Sequence, residues 1–254
     1  MPRRAVTCSE LGRDFRVTLD MVSTVGDIEL KTLIAQPITL WIQRTDPSWF
    51  PVNGYIHTAR RLGADGSFIS YQLTYASWLH FLRFRSDMRY WQDKSVDAII
   101  TDVLNMHPHA QGRFQFALRK PLPQRSYCRQ SETDWNFVHR LMEEEGLFGF
   151  WRQAGDGKSH TLVVTDDLYV LDEVSPDPVS FYRAGTGTET DAFTQWTGTR
   201  VLQSASRTTR TLGVQGARDA HGQSGRHCAF DAAERAHCRG SADQSRERAE
   251  HAHR

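Results

Sequence analysis

The sequence predicts a mainly β chain of the α+β class, with helices inserted between strands and a polar tail. Three observations predict it. Apolar residues alternate with polar ones at Phe15, Val17 and Leu19, at Ile38, Leu40 and Ile42, and at Tyr71, Leu73 and Tyr75, the period of half-buried strands. Two segments switch to a 3.6-residue period. After about residue 200 the strand pattern stops and Arg, Ala, Ser, Gly and His dominate.

The first half, residues 12 to 90, reads as strands. Ile28, Leu30, Leu33 and Ile34 continue the apolar pattern after the first strand, and Trp41 faces away from Ile38, Leu40 and Ile42. Asn53-Gly54 is a turn signal, and Gly63 to Gly66 is another. Between them, Tyr55 to Leu62 fits a strand. A strand from Phe68 to Leu82 follows. Short strands separated by Gly-rich turns suggest a barrel or a sandwich.

Residues Lys94 to Met106 predict an amphipathic helix. Ser95 is placed to cap it and Asp97 falls in its first turn, where negative charge suits the helix dipole. Val96, Ile99, Ile100, Val103 and Leu104 make its apolar stripe, and Pro108 ends it. Phe114, Phe116 and Leu118 alternate in a further strand, broken by Pro121 and Pro123. A second helix starts at Ser131, the expected N-cap, with Asp134 three residues on. Trp135, Val138, Leu141 and Met142 form its buried face, and Gly146 follows its last turn as a left-handed terminator. Leu147 to Trp151 and Thr161 to Thr165 read as a hairpin around Gly155 to Gly157. Strand character recurs at 179–182.

The tail from Gln203 carries one aromatic residue, Phe230, and five of the eleven histidines. Such a segment buries too little apolar surface to offset its ordering entropy, so residues 203–254 are expected to be a disordered tail beside a domain of residues 1–202. Its composition is also that of a GC-rich gene read out of frame, a hypothesis that sequencing the locus tests.

Bulk composition excludes several classes. The 31 basic and 30 acidic residues give a net charge of +1, which calls for neither nucleic acid nor an anionic membrane. Mean hydropathy is −0.54, and no apolar run is long enough to span a bilayer. The two arginines at the N-terminus precede no apolar stretch, so no Sec signal is expected. Cys8, Cys128, Cys228 and Cys238 form no CxxC pair and read as free thiols in a reducing compartment.

Motifs of chemistry are weak. No GxSxG, HExxH, P-loop or GxGxxG opening a helix occurs. Glu143, Glu144 and Glu145 oppose the dipole at a helix C-terminus, where each costs about 0.3–1 kcal/mol if exposed. They read as a solvated or partner-facing helix end, because no second acid is placed for catalysis. His107-Pro108-His109 reads as a polar loop rather than a metal site, since zinc needs three or four ligands. Cys228, His237 and Cys238 match no zinc spacing. Arg83, Arg85 and Arg89 interleave with Phe81, Phe84, Tyr90 and Trp91, a pattern shared with single-strand-binding surfaces but here fitted to strand faces. No cofactor is expected.

Two segments carry a resemblance. Arg89, Tyr90, Gln92 and Asp93 precede the first helix. Glu132-Thr133-Asp134, Phe137, Arg140-Leu141 and Glu144-Glu145-Gly146 form the second helix, followed by Phe148, Phe150 and Trp151. In this order they resemble the VgrG family of type VI secretion spike proteins, and with it phage tail baseplate hubs and late control D proteins. The likeness covers roughly residues 12 to 200. It implies a phage tail hub-like domain of two barrel-like β modules with inserted helices. It further implies a structural, non-enzymatic role as a homotrimer on a hexameric tube protein, ejected on sheath contraction, with effector or adaptor proteins as further partners. Such a protein is cytoplasmic before firing and is secreted through the apparatus without a Sec signal. The alternatives are a prophage baseplate hub and a hydrolase that carries this module as a delivery adaptor. Full-length members continue into an OB-fold and a β-helical needle, where this chain has its biased tail, so a C-terminally truncated copy is expected.

Overall fold

The computed structural model describes residues 1–44, 48–173, 180–181, 192–193, 195–200, 208–210 and 224–226. The chain divides into a unit Met1–Thr194 and a unit Gln195–Arg254.

The first unit is built on a five-stranded antiparallel sheet. Its strands are β1 (Pro2–Cys8), β2 (Arg16–Ser23), β3 (Pro37–Gln43), β4 (Trp49–Asp65) and β5 (Phe68–Ala76). They lie in the order β1-β2-β5-β4-β3. Val17, Leu19, Leu73 and Tyr75 point to one face and are buried with Phe15, Val52 and Ile56, as the alternation requires. The opposite face is polar: Asp20, Gln72 and Arg60 form one cross-strand row, with Gln72 Nε2 donating to Asp20 Oδ1 at 2.6 Å.

Three expectations change here. The apolar residues at 28–34 form a one-turn helix, α1 (Leu30–Leu33), not a strand. Asn53-Gly54 is no turn but lies within the first third of β4, opposite Thr39 and Ile38 of β3. A Cβ on Gly54 would lie 2.5 Å from the carbonyl oxygen of Ala76, so this glycine permits close strand approach. The strand at 68–82 ends at Ala76. Ser77 accepts a hydrogen bond from Leu79 N–H and opens a 3-10 helix, Trp78–Phe84. The Gly63–Gly66 turn is found: Asp65 pairs with Phe68 across it, with Gly66 at φ +57.

The second half of the unit packs helices on a smaller sheet. β6 (Arg89–Trp91) and β7 (Lys94–Ser95) lead into α2 (Val96–Leu104). Every residue of the expected apolar stripe of α2 is buried. The helix ends at Asn105, short of Pro108. β8 (Phe114–Ala117), β9 (Gln124–Arg125) and β10 (Cys128–Gln130) precede α3 (Asp134–Glu145). β11 (Phe148–Gln153) and β12 (His160–Thr165) form the expected hairpin, and β12 also pairs in parallel with β8. Trp78, Leu82, Ile99, Ile100, Leu104, Phe137, Leu141 and Val164 share the core of this half. Trp151 borders both cores.

The short strands β13 (Ser180–Phe181) and β14 (Ala192–Phe193) pair in parallel. Most of the expected disordered tail lies outside the described residues. Within it, β15 (Thr208–Arg210) and β16 (Ser224–Arg226) pair antiparallel.

Candidate functional site

The two signature segments come together through backbone pairing. β6 and β10 run antiparallel, with Arg89 opposite Gln130, Tyr90 opposite Arg129 and Trp91 opposite Cys128. Trp91 stacks on Phe137 of α3 with ring centroids 5.2 Å apart, and its Nε1–H donates to Asp102 of α2 at 3.0 Å. Arg89 pairs with Asp87. Gln92 and Asp93 are exposed. Asp93 has φ +50, a left-handed conformation that a short polar side chain tolerates, so its place in the motif is to turn the chain from β6 into β7.

The start of α3 is fastened to the segment before β6. Thr133, not Ser131, is the N-cap: its side chain accepts from Asn136 N–H. Asp134 opens the helix and is fully buried. Its carboxylate accepts from Gln130 Nε2 at 2.6 Å and lies 2.7 Å from His107 Nε2, with Arg85 Nε at 3.8 Å. Its backbone N–H donates to the Arg85 carbonyl. A buried carboxylate is tolerated only when paired and hydrogen-bonded in this way. Glu132 accepts from Arg140 Nε at 2.8 Å, and the Arg140 guanidinium lies 5.3 Å from the Phe137 ring centre. Phe137 and Leu141 are fully buried. The Glu-Thr-Asp triplet thus supplies a brace, a cap and a buried anchor in succession.

The acidic end of α3 is exposed at Glu143 and Glu144, as expected, but its carboxylates are paired within the chain. Glu144 accepts from Arg125 at 2.6 Å and from Arg140 at 2.9 Å, and Glu145 accepts from Arg125 at 2.5 Å. Glu143 pairs with Arg13 at 3.1 Å. Burial alone would raise the Glu144 carboxyl, but the hydrogen bonds from Arg125 and Arg140 outweigh it and hold the group below its ordinary range. The three arginines offset the local helix-dipole cost. Gly146 has φ +70 and sends its N–H to the Glu143 carbonyl, while Leu147 N–H reaches the Met142 carbonyl. Gly146 is the left-handed terminator that the sequence predicts.

A second polar centre carried no sequence signal. His160 is fully buried. Its Nε2 accepts from the Trp78 backbone N–H at 3.0 Å, so the proton sits on Nδ1, which lies 2.9 Å from Asn53 Oδ1. Burial lowers this imidazole to about 3. Asn53 also donates to Thr39 Oγ1 and to the Gly157 carbonyl. Gly157 itself has φ +68, and a Cβ there would meet Trp41 at 2.7 Å.

The remaining candidates are placed as follows. His107 is engaged by Asp134, and the His109 ring lies against Tyr55 and Phe81 at 4.9 and 4.8 Å. Among the described residues no three His, Cys, Asp or Glu side chains converge on a metal position. Cys228, His237 and Cys238 lie outside the described residues. Arg83 lies over Trp135 at 3.6 Å, while Arg85 and Arg89 face Asp87. An open groove of about 410 Å³ is lined by Met88, Arg89, Tyr90, Trp91, Asp102 and Met106.

This arrangement braces a scaffold. A family model described as phage tail baseplate hub (GPD) matches residues 9–254. The chain belongs to that family. Among curated hub-containing proteins, it is similar to the type VI secretion system spike protein VgrG1b of Pseudomonas aeruginosa, 32% identical over 201 residues, which are 78% of this chain and 26% of that protein. It is likewise 32% identical to VgrG1a of the same organism over 204 residues, 78% of this chain and 31% of the relative. The chain therefore spans about a quarter to a third of the length of these relatives. Among solved structures, an Escherichia coli component of the type VI secretion system, described as similar to T4 bacteriophage tail proteins gp27 and gp5, superposes with a TM-score of 0.61. It is 18% identical, and the match covers 72% of this chain and 52% of that one. A PdpA–VgrG complex matches with a TM-score of 0.51 at 11% identity, over 66% of this chain and 30% of that one. These likenesses establish the hub fold, mainly β with a few helices.

Proposed function

We propose that this chain is a structural, non-enzymatic hub of a type VI secretion spike. Three copies would cap the hexameric tube protein and be driven outward by sheath contraction. The hub match along residues 9–254 carries the reading. The sequence likeness to spike proteins supports the type VI assignment. The signature residues Arg89, Glu132, Asp134, Phe137, Arg140, Leu141, Glu144, Glu145 and Gly146 act in it as an internal brace that keeps the hub rigid under load, with the exposed Gln92 and Asp93 at the turn from β6 into β7. Residues 1–202 form the hub and 203–254 a separate tail. Effector or adaptor proteins are further partners. One relative, of which this chain spans 15%, is named an actin cross-linking toxin, so the non-enzymatic role is proposed for this chain and not for every relative. The protein is cytoplasmic until it leaves through the apparatus.

Light scattering on the purified chain, followed by binding to tube protein, tests the reading. A trimer that binds tube protein supports it, and a monomer that binds none removes it. A second reading is favoured by the family's own description: a prophage baseplate hub. Capsid and lysis genes beside the locus support that reading. Sheath, tube and ATPase genes without capsid genes support the type VI spike.

A further inference from the structure

A half-buried histidine pair is used by none of the contacts above. His57 stands at the bulge of β4 between Ile56 and Thr58, and His80 lies in the 3-10 helix Trp78–Phe84. Their rings stack with centroids 4.2 Å apart and planes 15° from parallel. His57 Nδ1 is 2.9 Å from the Thr58 hydroxyl. Phe84, 74% exposed, stands edge-on to His80 with centroids 5.7 Å apart.

The charged groups that act on this pair are cations. Arg16, Ala76 and Tyr55 form one cross-strand row, with Arg16 exposed at its end and Tyr55 two residues from His57. Burial first, then Arg16 and Arg83, lowers the His57 imidazole. Burial, then His57 and Arg83, lowers His80 to about 4. Among the described residues, none of Arg16, His57, His80 and Arg83 has a carboxylate within ion-pair distance. The acid that feels Arg83 is Asp14, whose carboxyl burial pushes up to about 7, so it supplies only part of a negative charge near neutral pH. Arg83 is held over the Trp135 ring, but folding gains nothing from setting the two imidazoles beside Arg16 and Arg83 without a full counter-charge, and an exposed aromatic beside them adds apolar surface.

We propose that this face is a docking site for an acidic peptide segment of a partner protein. A carboxylate is received by Arg16, Arg83 and the His57–His80 pair, and a neighbouring apolar side chain packs on Phe84. Guanidiniums bind carboxylates through paired, charge-assisted hydrogen bonds. An anion held beside the imidazoles favours their protonated form, and linkage makes any upward shift equal to the preference of the peptide for that form. This site does not depend on the chain being a hub.

The test is proton NMR titration of the histidines in the full chain, with and without an acetylated hexapeptide alternating glutamate and leucine. The same peptide with glutamine for glutamate is the control. The acidic peptide is expected to raise the titration midpoints of His57 and His80 by about one unit, a tenfold preference for the protonated pair. Arg16→Gln, on an exposed strand position, is expected to weaken binding about tenfold, as loss of one charge-assisted contact does, with the thermal midpoint unchanged. Equal binding of the glutamine peptide overturns the proposal. So do imidazole midpoints that stay put at saturation, or undiminished binding by Arg16→Gln.

Discussion

At the scale of single residues, His160 makes the sharpest claim. Both ring nitrogens are engaged, and burial holds the imidazole at about 3 against an ordinary 6.5. The unfolded chain therefore takes up this proton first as pH falls. The contribution of His160 is full above about 6.5 and is lost as pH drops toward 3, with a slope of at most ~1.4 kcal/mol per pH unit. Asp14 runs the other way: raised from 3.8 to about 7, it stabilises most below 3.8 and loses that contribution as pH rises through 7. His160→Gln should flatten the acid limb of a urea-denaturation series between pH 6.5 and 4. It should also lower stability at neutral pH by about 1–3 kcal/mol, because a buried partner is left unsatisfied. A variant whose acid limb stays as steep as that of the parent removes His160 as its source. Asn53 shows why such a centre was invisible beforehand. Asn-Gly is a turn signal when only neighbours are considered, yet the bonds that hold Asn53 come from Thr39, Gly157 and His160. Gly54 is required by the carbonyl of Ala76. An ordinary strand Gly→Ala stabilises by about 0.5–1 kcal/mol, whereas Gly54→Ala should destabilise by about 1–3 kcal/mol through the clash with Ala76 and Tyr75, measured as a fall in thermal midpoint.

At the scale of elements, legibility follows the range of the interactions. The α2 stripe was readable in full because it depends only on a 3.6 period. The last turn of α3 was not, because its carboxylates answer to Arg125 and Arg13, 19 and 130 residues away. The N-cap is Thr133 and not Ser131, and Asp134 is no capping acid because its carboxylate is drawn inward to Gln130 and His107. Replacing Glu144 and Glu145 together by Gln should lower stability by roughly 1 kcal/mol, the sum of partly exposed pairs worth ~0.2–1 kcal/mol each. The loss should shrink in high salt. Denaturation at two ionic strengths checks it, and no change at either would return these acids to a solvated helix end. Gly146→Ala tests the terminator separately. Nothing lies within 4 Å of a Cβ there, so the expected loss, about 1 kcal/mol, is purely that of the left-handed backbone.

At the scale of the whole described unit, two cores meet at one place. One lies under the five-stranded sheet and the other surrounds α2 and α3. Trp151 touches both, 5.7 Å from Phe15 and 5.5 Å from Trp78 between ring centroids. The polar tie from Asn53 through His160 to the Trp78 backbone joins β4, β12 and the 3-10 helix beside it. A hub that transmits force would need these halves to resist as one body. The buried tie is suited to that, because each partner becomes an unsatisfied polar group once the other is gone. The expected consequence is strong coupling between Asn53 and His160. In a double-mutant cycle of Asn53→Ala and His160→Ala, the losses should be less than additive by about 1–3 kcal/mol. The parent should unfold in one transition, whether followed by tryptophan fluorescence, which reports all seven tryptophans, Trp78, Trp91 and Trp135 of the helical core among them, or by far-ultraviolet circular dichroism. In the double variant the fluorescence and dichroism midpoints should separate, as each core unfolds with its own sheet or helices. Additive losses with coincident transitions would mean that Trp151 and the apolar contact alone unite the two cores, with the buried histidine incidental to their cooperation.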